Sequence, residues 1–92
     1  MSILEEAAEI IDGQRQTDYG TPERNFAAIA SMWTIYLRQG GRLSAHDEIY
    51  PEDIGLMMAL LKIAREANTH KRDNLVDAVG YLELSAREKE TP

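Results

Sequence analysis

The stretch from Asp53 to Leu84 constrains this chain most: two apolar-periodic segments joined by the short run Ala67-Asn68-Thr69-His70. Before the run, Ile54, Met57, Met58, Leu61 and Ala64 recur at helical spacing, with Leu56, Leu60 and Ile63 widening the stripe. After it come Leu75, Val76, Val79, Leu82 and the ring of Tyr81. A connection this short forces two helices to run antiparallel. Charges sit inside both patterns, Lys62 and Arg65 in the first and Asp73 and Asp77 in the second. The stripes are wide enough to put some of these four on or beside buried surface. A charge there is costly unless it is paired or given a ligand. The hairpin is therefore where function is sought.

The remaining chain supplies two more helices and no strand-like alternation of useful length. Ser2 followed by Glu5 has the form of a capping box, and Ile3, Leu4, Ala7, Ala8, Ile10 and Ile11 carry a helix over 3–11 to the stop at Asp12-Gly13. Glu6 and Glu9 form an E-x-x-E pair, for which a solvated acidic face is a simpler reading than a metal site. Residues 14–21 form a polar connection, where Tyr19-Gly20 reads as a packed turn or as a loop over a ligand, with Tyr19 stacking and Arg15 holding an anion. Thr21 and Pro22 open a second helix over 22–39, striped by Phe26, Ile29, Met32, Trp33, Tyr36 and Leu37 and ended by Gly40-Gly41. Trp33 and Tyr36 suit core packing, a subunit interface or a base-stacking wall.

Pro51 opens the third helix, over 51–67, and its broad apolar circumference predicts a central position. Asn68 and Thr69 are good caps for a fourth, over 70–87, with residues 87–92 a frayed tail. Gly80 lies inside that helix, so another helix or a ligand should approach its backbone closely. The fold class is thus all-α, a single domain over 1–92 made of a four-helix array with a C-terminal antiparallel hairpin.

With 92 residues the core is small, and the absence of cysteine excludes disulfides, thiolate metal sites and a cysteine nucleophile. No apolar run approaches the roughly 20 residues that span a bilayer, and the N-terminus lacks a signal-peptide pattern, so a cytoplasmic protein without membrane contact is expected. The formal charge of −6, with scattered basic residues, speaks against nucleic acid as a partner. One local basic site still suffices for a small anion. The wide stripe of the third helix, with Trp33 and Tyr36, predicts a homodimer or larger homo-oligomer.

The hairpin charges have two readings. Folding about Asn68 brings Arg65 towards Asp73 and Lys62 towards Asp77, which gives ion pairs that fix helix register. That is the favoured reading from physics alone. The functional reading gives the same groups a phosphate ligand. Asp73 and Asp77, four apart on one face, can hold Mg²⁺ while substrate phosphates complete its octahedron. Lys62 and Arg65 would meet phosphate oxygens, His70 and Lys71 at the helix start would add donors, and Asn74 and Tyr81 flank the face.

Tyr19-Gly20 ahead of Pro22, Asn25-Phe26, Trp33, Lys62-Ile63-Ala64-Arg65 and the run from His70 to Tyr81 resemble a small phage and prophage domain family of unknown function. That family in turn is similar to the all-α nucleoside triphosphate pyrophosphatases, the MazG and dimeric dUTPase group. The resemblance implies a MazG-like helical fold, oligomerisation, nucleotide binding and Mg²⁺-dependent release of pyrophosphate. It casts Asp73, Asp77 and Lys62 as catalytic, the two aspartates also as metal ligands. Arg65, His70, Lys71, Asn74, Tyr81, Tyr19, Asn25 and Trp33 become substrate-binding, with Tyr19 or Trp33 lining a base pocket. The group's E-x-x-D signature is matched at Asp77, while Asn74 stands at the glutamate position with Asp73 beside it. Lys62 and Arg65 stand where the group places acids, and Glu6-x-x-Glu9 lies two helices too early. The alternative is a non-enzymatic helical adaptor or oligomerisation module.

Overall fold

A computed structural model describes residues 1–13 and 20–91. The described residues form helices α1 (Ile3–Asp12), α2 (Pro22–Gln39), α3 (Pro51–Asn68) and α4 (Arg72–Glu90), with no strand among them. The architecture is all-helical, as the periodicity predicts.

The ends of the helices follow local chemistry. Ser2 Oγ accepts the Glu5 amide at 3.1 Å while the Glu5 carboxylate accepts the Ser2 amide at 3.0 Å, closing the capping box on α1. Those bonds hold the Glu5 carboxyl below its ordinary range, the backbone bond to Ser2 contributing most. Thr21 Oγ1 accepts the Arg24 amide at 3.3 Å, and Pro22 fills the first position of α2, where no amide partner is needed. Gly41, at φ 72°, turns the chain out of α2. Arg38 then holds the following loop, donating from Nε to the Ser44 carbonyl at 3.3 Å and from Nη2 to the Asp47 carbonyl at 2.5 Å.

Two boundaries differ from expectation. The fourth helix starts at Arg72, with Lys71 as its cap, and not behind Asn68 or Thr69. Glu66 is the reason: its Oε1 accepts the Lys71 amide at 3.0 Å, so a side chain of α3 takes the role of a local cap. At the other end α4 continues to Glu90 where a frayed tail was expected from residue 87. Arg87 anchors it, reaching Asp12 at 3.1 Å and Glu83 at 3.1 Å.

The core joins all four helices through Ile11, Phe26, Ala30, Ile54 and Leu84, with Ile29, Trp33, Ile49, Met58 and Tyr81 packed against it. α3 and α4 pack most extensively, as an antiparallel hairpin, and α1 lies on α4 while α2 lies on α3. Small residues set the closeness of the hairpin. A Cβ on Gly55 would stand 2.6 Å from the Ser85 Cβ and 2.7 Å from the Tyr81 carbonyl oxygen. The close neighbour of Gly80 is Ile11 of α1, whose Cγ2 would lie 3.2 Å from an added Cβ. That answers the question its mid-helix position raises: a helix approaches there.

α3 packs on both α4 and α2, the central position its apolar circumference predicts. It buries Ile54, Gly55 and Ala59, while Leu56, Met57, Leu60, Leu61 and Ile63 remain exposed on its outer side. α4 likewise buries Val76, Ala78 and Leu84 rather than Leu82, which stays exposed. Trp33 is half-buried against the core, whereas Tyr36 faces outward.

Candidate functional site

α1, the start of α2 and the middle of α4 enclose a cleft of about 160 Å³. Its floor is apolar, from Ile10, Ile11, Val76 and Leu84. Phe26 and Tyr81 stand side by side in its wall, ring centroids 6.4 Å apart and planes 26° apart. Asn25 and Asp77 bring polar groups to the same space, and Gly80 and Gly20 leave room in its lining. A cavity close to 150 Å³ accommodates a single benzene-sized ring. The cleft therefore suits one aromatic ring, with any larger part of a ligand outside it.

Lys62 and Asp77 form the one hairpin ion pair that the sequence places correctly. Nζ lies 2.8 Å from Oδ2, and each side chain is 15 % exposed. Such a pair is largely withdrawn from solvent, so breaking it costs more than breaking a surface pair. Because Asp77 also lines the cleft, this bridge connects the α3–α4 seam with the cavity. A seam closed on both sides would leave no room for a ligand; here it opens on the cavity.

The other expected pair does not form. Arg65 and Asp73 are both exposed, and no ion pair between them exists among the described residues. Glu66 is instead the carboxylate that organises the turn. It meets His70 Nδ1, and its Oε1 accepts the Lys71 amide and, at 3.3 Å, Asn74 Nδ2. These partners, the His70 contact foremost, hold the Glu66 carboxyl below its ordinary range. Asn74 is 8 % exposed and also donates to the Thr69 carbonyl at 3.5 Å. Its amide is thus a structural tie of the turn. His70 is exposed and bound to Glu66.

Besides His70, which is bound to Glu66, the ten other expected site residues divide. Asn25, Asp77 and Tyr81 line the cleft, and Lys62 reaches it through Asp77. Arg65, Lys71 and Asn74 border a separate, open depression with Leu61, Ala64, Asn68 and Thr69 at the hairpin turn. Asp73 is exposed, and Trp33 packs on the core and does not line the cleft. Tyr19, like Arg15, lies outside the described residues. Sequence reasoning missed Phe26 as a wall of the cleft because its helical spacing marked it as core, and it is both. It missed Glu66 too, although a glutamate four residues before a histidine is a recognisable helical pair.

Glu6 does more than solvate a face. Its carboxylate pairs with Arg72 at 2.5 Å, and Arg72 also donates to the Met1 carbonyl at 2.7 Å, which pins the start of α1 to the start of α4. Among the described residues no group of three or more His, Cys, Asp or Glu side chains could hold a metal ion. Asp77 is already neutralised by Lys62, and Asp73 is exposed one turn away.

No helix of the described residues is long and apolar enough to cross a membrane. Residues 2–89 match a family described as a domain of unknown function, DUF6378. The chain is similar to the Gene 55 protein of Mycobacterium phage L5, 46 % identical over 82 residues that cover 88 % of this chain and 48 % of that protein. It is also similar to the Gene 55 protein of Mycobacterium phage D29, 39 % identical over 92 residues covering 99 % of this chain and 56 % of that protein. The chain thus spans about half the length of the phage relatives it matches. No solved structure matches it. With nearly its whole length inside the family's match, this chain belongs to the DUF6378 family.

Proposed function

We propose that this domain binds a nucleotide or a comparable small phosphate compound, in the manner expected of a MazG-like protein, with its ring in the cleft and its phosphates towards Lys62. The observation that carries this reading is the meeting of Asn25, Asp77 and Tyr81 in one ring-sized, aromatic-walled cavity. An aromatic wall and apolar floor favour a flat ring, and an amide and a carboxylate at its edge can read exocyclic amino and carbonyl groups. Lys62 is paired with the cleft-lining Asp77, and a phosphate would compete with Asp77 for it.

Thermal melts against a panel of nucleoside mono-, di- and triphosphates, with and without Mg²⁺, test this. A specific ligand at 100 times its Kd adds about 2.7 kcal/mol of stability, on the order of 10–20 °C in a domain of this size. Asp77→Asn should abolish the shift while the protein still melts cooperatively. No shift with any nucleotide sinks the reading. An Mg²⁺ requirement together with released pyrophosphate would restore the hydrolase reading.

The second reading, a non-enzymatic adaptor, is favoured by the Lys62–Asp77 bridge itself, which spans α3 and α4 and can serve register alone. On that reading Asp77→Asn destabilises the fold by about 1–3 kcal/mol, between the costs of breaking exposed and buried pairs, and no nucleotide changes the melt.

A further inference from the structure

α1 bounds the cleft with Ala7, Ile10 and Ile11, yet its own hold on the molecule is slight. Among the described residues, α4 is the one helix on which α1 packs extensively, and within α1 only Ala7 and Ile11 are buried. A helix this short is marginal in water by itself, so its contacts with α4 keep it formed. Those contacts follow one face of α4, where Arg72, Val76, Gly80, Leu84 and Arg87 recur at spacings of four and three. Arg72 takes Glu6, Gly80 receives Ile11, and Arg87 takes Asp12. The two helices therefore run parallel, tied by one ion pair towards each end. Val76, 2 % exposed, lies between those pairs and lines the cleft with Ala7 and Ile11.

We propose that α1 is a gate on the cleft, held shut by the Glu6–Arg72 and Asp12–Arg87 pairs and released as ionic strength rises. All four side chains are at least 31 % exposed, so salt screens the attraction between them. The Lys62–Asp77 bridge, far less exposed, is screened much less and keeps the α3–α4 seam closed while α1 moves. Arg87 retains Glu83, one turn back on its own helix, when Asp12 departs, so the end of α4 keeps its ion pair. Opening uncovers Val76 and Gly80 along the cleft. The Phe26–Tyr81 wall stays in place, because neither ring belongs to α1. Control of ligand entry by this gate rests on the cleft being the ligand site; the opening of α1 does not.

The chain has no cysteine, so a single introduced thiol reports opening through its alkylation by uncharged iodoacetamide, followed by mass spectrometry. Val76→Cys places the thiol under α1. Ala59→Cys places it on α3, outside the cleft lining, at a position equally buried at 2 %. Urea denaturation of each variant gives the labelling rate that global unfolding alone allows. Ala59→Cys should label at that rate, and Val76→Cys about tenfold faster or more, through local opening. Raising NaCl from about 0.05 to 1 M should speed Val76→Cys by about 2–5-fold, the worth of exposed ion pairs, with little change at Ala59→Cys. Adding Arg72→Gln to Val76→Cys should give part of that gain already in low salt and shrink the salt effect. Labelling of Val76→Cys no faster than its own global unfolding overturns the proposal. So does faster labelling that neither salt nor Arg72→Gln changes. A nucleotide that raises the melting temperature should also slow labelling of Val76→Cys; if none raises it, the ligand reading of the cleft fails while the labelling of the free protein still decides the opening.

Discussion

At the residue scale, two glutamates with opposite environments decide how stability follows pH. Glu88 lies near the end of α4 with its Oε1 buried and without a hydrogen-bond partner among the described residues. Burial, then the nearby Glu23 and Glu52 carboxylates, push its carboxyl above the ordinary glutamate value of 4.5. The folded state therefore holds that proton more tightly than the unfolded chain does. The associated stability is present at or below pH 4.5 and is lost as pH rises through the folded value. Glu88→Gln should raise the melting temperature at pH 7 by about 2–4 °C, since half a kcal/mol moves a domain this small that far. The gain should vanish near pH 4; a lower melting temperature at pH 7 refutes it. Glu66 behaves in reverse. Its carboxyl is depressed by His70, the Lys71 amide and Asn74, so its contribution is present above 4.5 and lost as pH falls through the folded value. Melts of Glu66→Gln from pH 3 to 7 should start lower at neutral pH and show a shallower acid decline than wild type.

At the scale of elements, the α3–α4 crossing depends on the missing side chain of Gly55. A methyl group there meets the Tyr81 carbonyl and the Ser85 Cβ, neither of which can swing aside, because the first is backbone of α4 and the second is bonded directly to it. Ser85 is further held by donating to the Glu52 carbonyl at 2.7 Å. Gly55→Ala should cost about 1–3 kcal/mol by forcing the helices apart, measured by chemical denaturation. Ser85→Gly in the same chain should recover part of that loss, since it removes the nearest atom; no recovery would mean that the Tyr81 carbonyl alone sets the spacing. The consequence reaches the cleft, because Tyr81 belongs both to this crossing and to the aromatic wall. A variant with widened helices should also lose ligand shifts in thermal melts.

At the scale of the whole molecule, extents of 45 × 33 × 23 Å describe a slab in which α3 packs on α4 and α2 and leaves Leu56, Leu60 and Ile63 exposed. The helices themselves were legible in the residues: caps at Ser2 and Thr21, proline at 22 and 51, and apolar repeats at helical spacing fix type and extent through local bonds and side-chain direction. The antiparallel hairpin and its Lys62–Asp77 bridge were legible too, because a short turn leaves little freedom in register. Pairing at the turn was not, since Glu66 competes with Asp73 for the same region and only the rotation of α3 about its axis selects the winner. That rotation also sends Arg65 outward, while the seating of α2 puts Trp33 against the core and Phe26 in the wall of the cleft. By itself, the order of residues determined an all-helical domain with a charged hairpin. The tertiary structure alone decided which side of α3 is covered and which charges share a cavity. Those outcomes depend on contacts between residues distant in sequence, which no local period encodes.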